Sequence, residues 1–166
     1  RPVLFYKVDA DDPDHPVITH DYAEFTLTNA ETGGKVYDEA GVEWDSVVLS
    51  SDDDGRVVMP KQGPGTYHLT ETKAPAGFNL LTMPVVVVID PDGSITATLG
   101  DLPLMDVPLD GDDEDTYAAA FNITNKPAAE LPMAGGTGVL LLLSISAAIA
   151  FMAAFNGFMR RKGKTG

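Results

Sequence analysis

From Val3 to Asn125 the chain is a succession of short runs in which apolar and polar residues alternate. A period of two commits each run to a pleated strand with one buried face. The runs are Val3–Val8, Ala23–Thr28, Val47–Ser50, Arg56–Met59, Gly65–Thr70, Val85–Asp90, Ser94–Leu99 and Tyr117–Asn125. Between them stand Asp54-Gly55, Gly63-Pro64-Gly65 and Pro91-Asp92-Gly93, residues that tolerate positive φ or fix φ at a turn value. No helical period interrupts the series. Residues 1–127 therefore predict one all-β domain, an antiparallel β-sandwich.

Parity along three of these strands singles out three polar residues. Lys7 shares a face with Val3 and Phe5, Glu71 with Tyr67 and Leu69, and Asn125 with Phe121 and Ile123. Each falls on its strand's apolar side. Two arrangements satisfy this. Lys7 and Glu71 form a solvated cross-sheet pair with Asn125 bonding at a strand end, the commoner fate of such residues. Alternatively the three meet in the core, where an unpaired charge would be costly and each must satisfy the others. Asn122, of opposite parity, is expected to face outward.

Beyond the strands the composition changes abruptly. Val139–Met159 carries no charge and is long enough, at about twenty residues, to cross roughly 30 Å of hydrocarbon as a helix. Arg160, Arg161, Lys162 and Lys164 follow it, which places residues 160–166 in the cytoplasm and everything before Leu131 outside. Residues 128–138 are then a linker. All 25 acidic residues and seven of the 11 basic ones precede Leu131, so that part carries −18 and the tail +4. An ectodomain this acidic, with no basic stripe, excludes nucleic-acid partners. The chain has no Cys, which removes disulfides and thiol catalysis and leaves stability to the core or to another covalent link. It begins at Arg1, close to the first strand, as a C-terminal fragment of a longer secreted protein would.

Other candidate sites are weak. Asp52-Asp53-Asp54-Gly55 lacks the spaced ligands of a calcium loop and reads as a polar hairpin. Gly111-Asp112-Asp113-Glu114-Asp115 reads as a solvated loop. His15, His20 and His68 show no metal-ligand spacing, and no Ser-His-Asp arrangement can be nominated. Neither a metal nor a cofactor is expected. Trp44 and Val42 are expected to pack in the core or to shield a loop.

Two resemblances join these observations. Leu131-Pro132-Met133-Ala134-Gly135, an apolar span and a basic tail resemble the cell-wall sorting signal of Gram-positive surface proteins, Leu-Pro-x-Thr-Gly, with Ala134 where Thr is usual. The resemblance implies a sortase that cuts between Ala134 and Gly135 and joins the new carboxyl end to peptidoglycan or to another pilin subunit. The ectodomain resembles the SpaA-type, or Cna protein B-type, stalk domains of pilins and adhesins, whose fold is an Ig-like or prealbumin-like sandwich. Phe5-Tyr6-Lys7-Val8-Asp9 opens the match, and Tyr67-His68-Leu69-Thr70-Glu71-Thr72-Lys73-Ala74-Pro75-Ala76-Gly77-Phe78 follows the pilin E-box. Ile123-Thr124-Asn125-Lys126-Pro127 closes it. Lys35 before Val36-Tyr37 lacks the Pro and Asn of the family's polymerisation motif.

This second resemblance implies an intramolecular isopeptide bond from Lys7 to Asn125, with Glu71 as the proton shuttle. Burial favours the neutral amine and the neutral acid, which suits attack and proton transfer. The reaction would occur once, without a cofactor, so no enzyme is implied. The expected protein is a structural stalk or pilin subunit on the surface of a Gram-positive bacterium, held in the membrane until a sortase acts. Host extracellular matrix is a further expected partner. The competing expectation is an adhesin sandwich that binds a host ligand on a permanent membrane anchor.

Overall fold

The computed structural model describes residues 1–12 and 17–129. Residues 1–128 form one compact unit. The sorting motif Leu131–Gly135, the apolar span 139–159 and the tail 160–166 lie outside the described residues. Among the described residues, no helix is long and apolar enough to cross a membrane.

The strands are β1 (Val3–Asp9), β2 (Glu24–Asn29), β3 (Val36–Tyr37), β4 (Glu43–Trp44), β5 (Ser46–Ser50), β6 (Arg56–Met59), β7 (Gly65–Lys73), β8 (Val85–Ile89), β9 (Ile95–Leu99), β10 (Leu102–Pro103), β11 (Met105–Asp106) and β12 (Ala119–Asn125). One helical turn, α1 (Asp112–Thr116), precedes β12. A four-stranded sheet in the order β11-β12-β1-β6 faces a six-stranded sheet in the order β10-β9-β8-β7-β2-β5, and β3 and β4 make a separate short hairpin. The core lies between them. Phe5 and Phe121 stack at 5.8 Å from the first sheet, and Phe25, Leu27, Leu69, Val85 and Val87 meet them from the second.

Every alternating run of the sequence is a strand, with ends moved by a residue or two. The exception is β7, which continues to Lys73 and so carries Glu71 inside the sheet. Three expectations are corrected. The pairing of β1 with β12 is parallel, in the register Val3↔Ala119 through Asp9↔Asn125, whereas every other ladder among the described residues is antiparallel. The acidic stretch after Gly111 is a short helix; Gly111, at φ 54°, makes the entry turn. Trp44 and Val42 are about half exposed, at 51% and 49%, because they sit on the β3–β4 hairpin outside both sheets; the Trp44 indole donates to Asp38 Oδ2 at 2.9 Å. Asn122 points outward, as its parity requires, toward Met105.

β1 is an interior strand, with β12 on one side; at Lys7 the other side is held by Gly55 and Ile18. The Lys7 amide donates to Gly55 O at 2.9 Å, and Lys7 O accepts from the Ile18 amide at 2.8 Å. Gly55 makes the first bond available. Its φ is +71°, and a Cβ there would stand 2.7 Å from Ile18 O, so the turn takes glycine for both reasons.

Candidate functional site

Lys7, Glu71 and Asn125 are brought together in the core. Lys7 is fully buried, Asn125 is 1% exposed and Glu71 is 6% exposed. Their positions follow from the sheets. In the parallel ladder Lys7 stands opposite Ile123, and Asn125 is two residues further along the same face. That diagonal spacing is within reach of a long side chain. Glu71 comes from the facing sheet, beside Phe25 in the β2–β7 ladder.

The three side chains form a closed set of contacts. Lys7 Nζ lies 2.9 Å from Glu71 Oε1 and donates to Asn125 Oδ1. Asn125 Nδ2 donates to both Glu71 oxygens, at 3.2 and 3.1 Å. The amide therefore turns its oxygen to the amine and its nitrogen to the acid. Backbone groups complete the shell. The Leu81 amide donates to Glu71 Oε2 at 2.8 Å, and Asn79 O accepts from Asn125 Nδ2 at 2.9 Å. The Phe25 ring lies 5.2 Å from Lys7 Nζ.

Burial holds the Lys7 amine below its ordinary range, because a charged ammonium loses water there; the Glu71 carboxylate pulls the other way and only partly restores it. The arrangement thus holds a nucleophile of lowered basicity, a carboxyl group able to exchange a proton with it, and an amide carbon one bond from the oxygen the amine touches. Among the described residues no group of His, Asp or Glu side chains could hold a metal ion.

The second half of the E-box is fixed by Asp21 and Tyr22, which sequence reasoning did not single out. Asp21 Oδ2 accepts from the Ala76 amide at 2.8 Å and Asp21 Oδ1 pairs with Lys73 at 3.4 Å, while Lys73 Nζ sits 3.2 Å from the Tyr22 ring centroid. Lys35, weighed for polymerisation, is exposed and paired with Asp45. The roles of Asn79 and Leu81 were illegible, since both act through the backbone.

A prealbumin-like sandwich with an amine, an acid and an amide sealed in its core defines the class. A family model described as the SpaA prealbumin-like fold domain matches residues 3–102. The chain belongs to that family. The matched span includes Lys7 and Glu71; Asn125 lies beyond it. No curated protein matches the chain. Among solved structures, the group B streptococcus pilus 2b backbone protein is similar at 23% identity and a TM-score of 0.51, over 79% of this chain and 42% of that one. The C-terminal fragment of the pilus adhesin SpaC from Lactobacillus rhamnosus GG is similar at 19% identity and a TM-score of 0.51, over 80% of this chain and 47% of that one. These likenesses are of fold. The chain spans less than half the length of either protein.

Proposed function

We propose that this chain is a structural stalk module of a Gram-positive pilin or wall-anchored adhesin, stabilised by a Lys7–Asn125 isopeptide bond. The observation that carries the reading is the buried contact set of Lys7, Glu71 and Asn125, with the amine against both the acid and the amide. A proton passes from Lys7 Nζ to Glu71, and the neutral amine attacks Asn125 Cγ. Glu71 hands its proton to Nδ2 and takes a second one from the now cationic Lys7 nitrogen, the Cγ–Nδ2 bond breaks, and neutral ammonia leaves. One amide is consumed and one is formed, so no oxidant, metal or cofactor is required. The event happens once per chain and is maturation, not enzyme turnover.

The mechanical consequence follows from topology. Tension applied on either side of the domain enters β1 and leaves after β12, pulling these parallel strands past one another. With the bond in place, the load crosses from residue 7 to residue 125 through the side chains, and residues 8–124 carry none of it. The hydrogen-bond ladder is then spared.

In the same reading residues 1–127 are the stalk domain, 128–138 the linker, 139–159 a membrane span and 160–166 a cytoplasmic tail. A sortase cuts between Ala134 and Gly135 and transfers the domain to peptidoglycan or to another pilin subunit on the cell surface. Host matrix is a partner of the whole protein. The test is the intact mass of residues 1–130, beside Glu71→Ala and Asn125→Ala, with peptide mapping. A wild-type mass short by one ammonia, mapped to Lys7 and Asn125 and restored in both variants, is expected. A full wild-type mass sinks the bond and favours the ligand-binding sandwich on a permanent anchor.

A further inference from the structure

The chain leaving β7 folds back over the end of the sandwich and fastens to the chain leaving β12. Gly77 O accepts from the Ala128 amide at 2.7 Å, and the Asn79 amide donates to Lys126 O at 3.0 Å. The Asn79 side chain adds a third tie, donating from Nδ2 to Pro127 O at 3.1 Å. Phe78 and Pro127 are bridged antiparallel. Residues 77–81 are thus a strap riveted to residues 126–128.

The same strap reaches inward twice. Its Asn79 carbonyl and its Leu81 amide bond to Asn125 and Glu71 respectively, each below 3 Å. Around Asn125 Nδ2 there are consequently three acceptors, Asn79 O and the two Glu71 oxygens, within 3.2 Å. With Glu71 ionised, a reversed amide would turn its oxygen toward all three and find no donor, the costly case for a buried polar group. The strap therefore selects one amide orientation, the one that faces the nitrogen toward the acid and the oxygen toward the amine.

We propose that the strap is the positioning device of the crosslinking reaction: it holds the departing nitrogen of Asn125 against Glu71 before Lys7 attacks. This rests on the crosslink reading above and deepens it. Ammonia takes with it the donor that Asn79 O was using. A pocket of about 590 Å³, lined by Asn79, Leu80, Leu81, Leu99, Thr124 and Lys126, opens beside the strap. Water standing there can bond the Asn79 carbonyl left behind.

Asn79→Ala removes the tie to Pro127 and leaves every backbone group of the strap in place. Crosslinking of the full chain is followed by intact mass at intervals after synthesis is stopped, over a range of pH, on samples whose folding is checked by circular dichroism. The variant is expected to fold and to lose ammonia roughly tenfold to a hundredfold more slowly, the scale of losing a held geometry. The slowing is expected in the rate of the folded fraction at every pH, because the strap acts on the geometry of the reacting groups. A purely structural role would lower stability and leave the rate of the folded fraction where it was. A folded Asn79→Ala with the wild-type rate overturns the proposal while the crosslink reading survives. A wild type that never loses ammonia ends the crosslink reading itself. If Asn79→Ala does not fold, Asn79→Ser, which keeps a shorter donor, is held to the same readout and is expected to be slowed less.

Discussion

Replacing Lys7 by Met removes the proposed bond and keeps an unbranched chain of similar bulk in the core. The size of the effect follows from topology. Lys7 and Asn125 are 118 positions apart, so the proposed covalent loop would enclose nearly the whole domain. Closing a loop of that length removes unfolded-chain entropy corresponding to about 5 kcal/mol at 25 °C. For a domain of this size such a loss lowers Tm by roughly 15–20 °C. Lys7→Met also strips one partner from Glu71, which retains the Leu81 amide and Asn125 Nδ2. Lys7→Met/Glu71→Gln removes that buried charge as well, and the difference between the two variants isolates its cost. Calorimetry on all three proteins, with masses measured on the same samples, gives the answer. A wild type short by one ammonia whose Tm exceeds that of the double variant by less than about 5 °C would refute the loop-entropy reasoning.

The lowered basicity of Lys7 predicts a pH dependence in the uncrosslinked domain. Between its depressed folded value and the ordinary 10.5, the unfolded chain binds more protons, so stability contributed at this site rises with pH through that window. Urea titrations of Asn125→Ala and Lys7→Met/Asn125→Ala should converge as pH approaches 10, and a constant difference would contradict this. Under force, the wild-type domain should show no extension from residues 8–124. Lys7→Met should release about 400 Å of chain in a single-molecule pull, at roughly 3.3–3.6 Å per residue. Gly55→Ala places a Cβ at φ +71° and 2.7 Å from Ile18 O. It should cost about 1–3 kcal/mol in chemical denaturation of an uncrosslinked background, since left-handed backbone strain adds to the clash.

The alternation of side chains was enough to read the sandwich and the inward parity of Lys7, Glu71 and Asn125, because a buried face imposes its period on every strand that contributes to it. The short strands β3, β4, β10 and β11 were not readable: two residues cannot display a period. Nor does periodicity name a partner, so the parallel union of β1 and β12 emerged only in three dimensions. Trp44 and Val42 are apolar by type but stand on a hairpin beyond the sheets, so of the two expectations for them, core or shield of a loop, the core is the one overturned. The strap escaped for a different reason. Its working groups are a carbonyl and an amide, which any residue at positions 79 and 81 other than proline would supply.

The parallel pairing of the first and last strands also has a consequence in time. Synthesis proceeds from the amino end, so Lys7 and Glu71 exist for most of that process with no amide to react with. β12 fills the place between β11 and β1 only after every other strand has been made. A bond from Lys7 to Asn125 therefore cannot form on a truncated or half-delivered domain. Its presence on a chain is a record that the whole sandwich was completed and closed in the correct register.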